Sequence, residues 1–498
     1  MTDNTHNQPE HKEQRLVSPH EEHARLVEID TSARWPVLFF FTAGIFWLFL
    51  AALLGIAANI KFRYPELLDF LPYLTFGRLK PAFHHVLIYG WAFSASFGTM
   101  LWVMARTCKC RIPFPLLVTV VGHIWHLGVF VGLAGIILGM ARPYEWLEMP
   151  TAAAGILLFA YVFIALWGFV ILALRDGRGK VFISALYLIA ALLWFPWVFG
   201  TANLMLASGK LIGVMQPIVN WWYVDALVGL WFTPVALGAA YFLVPKITGN
   251  PLSHYKLSYI AFWGIALFNG WLGMRHLAGS PIPAWLTTVS LFASVMMIIP
   301  AAIVMANLIP PLMKGSSTLE NNIGLRFIAF GLAAFLVMNT FGALFQFRTF
   351  AKFTQFTVAI DAYLYLAIYA FPSMIFFGVI YYTFPRILGV AWHMPSLVAL
   401  HYWISLFSVV FLVIFMFAGG LFQGNVLNEA DNYMTTVMYQ AQLTAQVADL
   451  FWLAIAFSNF IFLINFLLSL LDVFDPTKLL LDFVQVDESP DQEEHATA

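Results

Sequence analysis

The chain has almost no cysteine and very little charge. Among its 498 residues there are two cysteines, and Asp, Glu, Lys and Arg together make up 10%, against about 25% in an average soluble domain. A water-soluble surface of ordinary composition is therefore excluded. Cys108 and Cys110 form a C-K-C pair, a spacing that matches neither a zinc knuckle nor a covalent cofactor-attachment motif. Both are read as ordinary thiols. A basic excess is missing too: the formal net charge is −1, which leaves no cationic face for nucleic acid. Residues 1–35 hold no apolar stretch followed by a small-residue cleavage site, so they are expected to be a polar tail and not a cleaved leader. No internal repeat of fixed period occurs.

What is abundant is apolar bulk. Hydrophobic residues make up 61% of the chain, with 49 Phe, 18 Trp and 18 Tyr. Runs long enough to cross a bilayer recur from end to end, and twelve spans are expected, at about 36–58, 83–105, 113–140, 151–174, 181–206, 220–245, 257–278, 283–308, 324–346, 355–384, 395–422 and 444–471. Short connections make this one all-α integral membrane bundle over 36–471, between a polar N-terminal tail (1–35) and an acidic C-terminal tail (472–498). The aromatic residues serve first as core and lipid-facing filler. His6, His11, His20 and His23 are scattered through the N-terminal tail and are expected to be solvated, not metal-bound.

Lys and Arg placement sets the orientation. With a cytoplasmic N-terminus, the tails and even-numbered loops hold most of the 25 basic residues, among them Arg106, Lys109 and Arg111, then Arg175, Arg178 and Lys180. That topology gathers His84, His85, Asp225, Arg275, His276 and Asp361 in the outer third of the bundle. Asp361 poses the sharpest question. It sits in "FTVAIDAYLYLAIYAFP" (356–372), roughly 10 Å below the start of its span at 1.5 Å per residue. A carboxylate in hydrocarbon costs about 2.5–3.5 kcal/mol even on lenient insertion scales.

Four stretches resemble one known family. "FGRLKPAFHHVLIYGW" (76–91), "WWYVDALVGLWFTPVALGAAYFLVPK" (221–246), "GWLGMRHLAGSPIPAWL" (270–286) and the 356–372 segment with "IYYTFPRILG" (380–389) are similar to helices 2, 6, 7 and 10 of heme-copper oxidase subunit I. The cbb-type cytochrome c oxidases and the nitric oxide reductase large subunit are the nearest in pattern. The resemblance covers residues 36–471 and implies a twelve-helix bundle with two hemes and a copper ion. Two axial nitrogens would hold the low-spin heme iron, one the high-spin iron, and three the copper.

The ligand stations do not follow the family. The H-x-H of helix 10 falls on Ile360-Asp361-Ala362, so both histidines are gone. The helix 6 copper ligand falls on Asp225, and the helix 7 pair on Arg275 and His276, leaving His276 as a vestigial copper-ligand position. The cross-linked tyrosine of cbb-type enzymes falls on Asn269, and the low-spin heme ligand on Phe83. A slip of one residue would bring His84 or His85 to that station, but not both, because neighbours on a helix point about 100° apart.

Asp225, Asp361 and His276 are of the donor type that suits non-heme iron, but a permanent guanidinium at Arg275 would repel a cation and pair with carboxylates instead. A buried cluster of Arg275, Asp225 and Asp361 is therefore expected, in which Arg275 pairs with Asp361, Asp225 or both. Histidines 123 and 126 are expected to pack or hydrogen-bond. The resemblance places "RPYEWLEMP" (142–150) near the heme propionates, yet Glu145 and Glu148 are expected to be ordinary loop acids, and Arg348 and Lys352 ordinary span flanks.

The reading is a cytochrome c oxidase subunit I-like protein that has lost its catalytic metals. It is expected in the bacterial inner membrane, among the lipid and membrane subunits of a respiratory complex and a c-type cytochrome, with no cofactor. Two alternatives stay open. One is a divergent terminal oxidase or nitric oxide reductase subunit keeping one heme b through His84 or His85. The other is an ion- or proton-conducting subunit.

Overall fold

Ser18 starts the first helix. Its hydroxyl accepts from Glu21 N at 3.2 Å while the Glu21 carboxylate accepts from Ser18 N at 2.9 Å, a reciprocal cap that satisfies two otherwise orphaned donors. The computed structural model describes residues 18–177, 181–429, 431 and 433–473. His6, His11, Arg178, Lys180 and all but the first residues of the C-terminal tail lie outside these. His20 and His23 are exposed on the first turns of helix α1 (Pro19–Arg63). The expected tail is thus helical from residue 19 onward.

Among the described residues eleven further helices of more than ten residues follow: α2 (Phe76–Thr107), α3 (Pro115–Ile137), α4 (Thr151–Ala173), α5 (Ile183–Ala207), α6 (Met215–Thr248), α7 (Leu257–Asn269), α8 (Ala284–Lys314), α9 (Ile323–Leu344), α10 (Ala359–Leu388), α11 (Pro395–Leu427) and α12 (Met434–Val473), with short helices over Ser316–Asn321 and Arg348–Thr354 between them. No strand occurs among the described residues. Ion pairs dock the N-terminal part of α1 on the end of α2 and on the segments that follow α2 and α4: Arg106 to Asp30 at 3.0 Å, Lys109 to Glu22 at 3.0 Å, and Arg25 to Asp176.

Eleven of the twelve are long and apolar enough to cross a membrane, and α7 is not. The expected seventh span, 257–278, stops at Asn269 and continues as a tighter 3₁₀ turn over Leu272–Leu277. The reason lies in that turn. It buries Arg275 and His276, at 5% and 9% exposure, and the Arg275 carbonyl accepts from Gln355 Nε2 at 2.8 Å. An α-helix continued through this segment would give up that arrangement.

Three helices form the centre. α2, α6 and α10 are almost wholly buried, whereas less than half of the apolar window of each of α3, α4, α11 and α12 is buried. Each central helix contains a widened π-helical segment, over Val86–Ala92, Val228–Phe232 and Leu366–Ser373. Such segments are rare and concentrate at functional sites. Aromatic rings fill the space between them. Phe93 stacks on Trp231 at 5.2 Å, Trp91 on Phe377 at 5.0 Å, and Trp91 Nε1 donates to Ser373 Oγ at 2.9 Å. The peripheral helices present Phe407, Phe411 and Phe415 outward, as lipid-facing surfaces do.

Candidate functional site

The polar residues concentrate at the end of the bundle opposite the N-terminus, where α2, α6 and α10 begin. Arg275 stands at their centre. Its Nε donates to Asp225 Oδ2 at 3.1 Å and its Nη2 to Asp225 Oδ1, a two-pronged pair of the kind that matches guanidinium to carboxylate geometry. Nη2 also donates to the Tyr363 hydroxyl, and the guanidinium carbon lies 4.5 Å from the Tyr363 ring centroid. His276 Nε2 is 3.2 Å from Asp225 Oδ2, and its ring stacks on Trp221 at 4.2 Å. Asp225 is 3% exposed and Arg275 5%. Closely fitted neighbours leave little room, since the cavity against Arg275, His276, Ile360 and Tyr363 is only about 10 Å³. A Cβ added at Gly342 of α9 would lie 2.4 Å from Arg275 Nη1.

Asp361 is not part of this cluster. The expectation that it pairs with Arg275 is corrected by Lys80 of α2, whose Nζ is 3.3 Å from both carboxylate oxygens of Asp361. Nor does Asp361 lie deep. Helix α10 starts at Ala359, after Gln423 Oε1 accepts from Val358 N at 3.0 Å, so Asp361 sits in the first turn, where the helix dipole favours a negative charge. Its side chain is 27% exposed and that of Lys80 35%. Both line a cavity of about 340 Å³, with Phe83, Tyr365, Trp452 and Asp449.

The histidines beside Phe83 turn away from that cavity. His84 Nδ1 is 3.3 Å from Glu145 Oε1. His85 Nε2 donates to the Val129 carbonyl at 3.0 Å, and its ring occupies the gap left by Gly132, where a Cβ would stand 2.4 Å from Nε2. His85 Nδ1 has no partner, but the ring is not among the cavity walls. Further from the centre, His123 bonds its own helix at the Thr119 carbonyl, 2.8 Å, and His126 Nδ1 accepts from Trp47 Nε1 at 3.0 Å. Arg348 and Lys352 line a separate cleft with Gln355 and Asn428.

Glu145 and Glu148 depart from the expectation of ordinary loop acids. Asn220 holds the Glu145 backbone from both sides, at 2.9 and 2.8 Å. Arg142 Nε donates to the Met149 carbonyl at 2.7 Å, and Tyr89 to the Trp146 carbonyl at 2.7 Å. Trp146 takes a left-handed φ of 60°, rare for a bulky residue, and this turn brings both glutamates to the same side. Glu148 is 6% exposed. Burial pushes the Glu148 carboxyl well above the ordinary glutamate range, and the charge of Glu145 adds to the push. For Glu145, burial also pushes upward, but the His84 hydrogen bond and the charges of His84, Lys80 and His276 outweigh it and hold the carboxyl below that range. Burial lowers the neighbouring Arg142 guanidinium.

With this geometry in view, the comparisons with known proteins are decisive. Residues 36–471 match the family described as Cytochrome C and Quinol oxidase polypeptide I. The chain belongs to that family. It is 26% identical over 378 residues to the Cbb3-type cytochrome c oxidase subunit CcoN1 of Stutzerimonas stutzeri, covering 74% of this chain and 80% of that protein. A cytochrome c oxidase subunit 1 homolog of Agrobacterium tumefaciens (strain T37) is 26% identical over 403 residues, covering 78% and 74%. The fold matches a heme-copper terminal oxidase dimer solved by cryo-electron microscopy, with a TM-score of 0.66 at 14% identity, over 90% of this chain and 84% of that one.

The residues at the positions that the family resemblance assigns to the metals do not fit hemes and copper. The copper station holds a guanidinium paired to a carboxylate. The helix 10 stations are Ile360 and Ala362, and the helix 2 station is Phe83, so none of the three offers a nitrogen to iron. Lys80, Arg142 and Tyr363 are neighbours of the candidate site that the sequence did not single out. Lys80 lies one helical turn before His84, and Tyr363 two residues after Asp361; those spacings were the available signals.

Proposed function

We propose that this protein is a non-catalytic member of its family: a membrane scaffold among respiratory-complex subunits that works without the heme-copper centre. The observation that carries this reading is the Arg275–Asp225 pair at the copper station. Reduction of an O–O bond by this family's chemistry draws electrons from heme iron and copper facing each other, and a fixed positive charge at the copper position opposes a metal cation there. On this reading the chain lies in a bacterial inner membrane with its N-terminus cytoplasmic, the orientation its basic residues favour. Its partners are other membrane subunits and a c-type cytochrome.

The test is turnover of the purified protein with a chemically reduced donor. Oxygen and nitric oxide consumption are expected to stay at the donor-only rate, while native separation of solubilised membranes shows the chain migrating with respiratory subunits. Sustained consumption that cyanide abolishes would overturn the proposal. A second reading, in which one heme is kept, draws on the cavity of about 340 Å³ beside Phe83. The polar side chains on its walls are Lys80, Asp361 and Asp449 with Asn59, Thr357, Tyr365, Gln423 and Thr444, so a heme there would be bound without imidazole.

A further inference from the structure

The segment between α9 and α10 forms one wall of a cleft of about 620 Å³, whose lining includes none of Asp225, Arg275 and His276. Two cations stand on that wall. Arg348 and Lys352 lie four residues apart on the short helix Arg348–Thr354, a spacing that puts both on one face, and both line the cleft. Among the described residues neither belongs to an ion pair, and no Asp or Glu lines the cleft. Glu429, next in sequence to the wall residue Asn428, accepts from Asn425 at 3.2 Å instead.

Two buried amides add a second, independent observation. Gln346 is 5% exposed, and its Nε2 has no hydrogen-bond partner. Gln355 is 9% exposed and donates through Nε2 to the Arg275 carbonyl, while its Oε1 has no partner. Both line the cleft. Buried polar atoms left unpaired are costly, so this wall lacks one acceptor and one donor. The wall is also fixed in place. Asn428 Nδ2 donates to the Lys352 and Gly424 carbonyls, each at 2.6 Å, which ties the short helix to the end of α11. Apolar side chains complete the lining, among them Ile282, Leu291 and the exposed Leu427 and Phe356.

We infer that this cleft binds the phosphodiester headgroup of an anionic, hydroxyl-bearing phospholipid. The phosphate would accept from Arg348 and Lys352, the guanidinium fork matching its oxygens, and from the Gln346 amide. A headgroup hydroxyl would supply the donor that Gln355 Oε1 lacks. Basic pockets between membrane helices take such headgroups. Inorganic phosphate carries the same charge but has no acyl chain to lie against Leu291, Leu427 and Phe356, which favours the lipid. No metal position enters this inference, so it stands or falls separately from the proposed loss of catalysis.

The experiment measures binding of a fluorescent phosphatidylglycerol to the purified full chain in a neutral detergent. One saturable site per chain is expected, emptied by unlabelled phosphatidylglycerol and not by phosphatidylcholine or inorganic phosphate. Arg348→Gln and Lys352→Gln should each weaken it about fivefold, and together about 25-fold, the scale of basic residues facing an anionic lipid. Gln346→Leu should weaken it about threefold, as loss of one modest hydrogen bond does. Arg63→Gln, which removes an exposed cation at the end of α1 and outside the cleft, should leave binding unchanged. If a variant does not fold, short-chain phosphatidylglycerol should still raise the melting temperature of the native chain more than short-chain phosphatidylcholine does. Unchanged binding in the double variant, equal displacement by phosphatidylcholine, or equal melting shifts from the two lipids would each overturn the assignment. Displacement by inorganic phosphate as strong as by phosphatidylglycerol would overturn the lipid as the source of the phosphate.

Discussion

The two sides of this bundle that the family resemblance assigns to hemes are filled differently. On the side that the resemblance assigns to copper and the high-spin heme, Arg275 occupies the space, and about 10 Å³ is left beside it. On the low-spin side, Phe83 faces a cavity of about 340 Å³ whose ion pair, Lys80 with Asp361, stands partly in the open. A buried polar hole with charged walls must be filled by matching charge, because each unpaired group there costs the full desolvation penalty. A cavity that reaches the outside can stay, because water and lipid satisfy its walls. The difference between the sides is therefore one of solvent access.

The comparison can be broken most directly at Arg275. Arg275→Met leaves Asp225 buried and without its guanidinium partner, and a loss of about 3–5 kcal/mol is expected in denaturant unfolding. The double variant Arg275→Met with Asp225→Leu should recover most of it, since apolar replacement of a whole buried pair is often neutral. A single variant as stable as the native chain would contradict the infilling account. Gly342→Ala comes next, because its new methyl group meets Arg275 Nη1. It should cost about 1–3 kcal/mol by overpacking, and less in the Arg275→Met background, because neighbouring changes are not additive.

On the open side the expected effects shrink. Lys80→Met removes a partly exposed ion pair and should cost about 0–1 kcal/mol; a loss as large as that of Arg275→Met would mean that the two sides are equally sealed. His123→Ala, exposed and bonded only within its own helix, should stay within about 0.5 kcal/mol of the native chain. These stabilities are compared in one detergent by the same denaturant series.

Much of this was legible in the sequence because it depends on local pattern. Near-continuous apolar stretches gave the long helices, and the alternating topology brought Asp225, Arg275 and His276 to one depth. The start of α1 was legible too, since "SPHE" carries the S-x-x-E signature of a capping box; the charge-rich composition of residues 1–35 outweighed it. What could not be read locally depends on how helices pack. Asp361 finds Lys80 because α2 lies against the start of α10, a partner 281 residues away. Glu148 is buried because Tyr89, Arg142 and Asn220, from three parts of the chain, pull its loop inward. The end of α7 was obscured for a third reason: apolar composition continues to residue 278, and only the inward turn of Arg275 and His276 breaks the helix.

The central claim is that charged side chains have taken the place of the metals. The pyridine hemochrome spectrum and copper content of the purified, full-length chain test it most directly. The account predicts less than one-tenth of a heme (roughly the background of such assays) and no stoichiometric copper, because no heme station keeps its imidazole and His276 is the one histidine left at the copper positions. Two hemes and one copper per chain would contradict it.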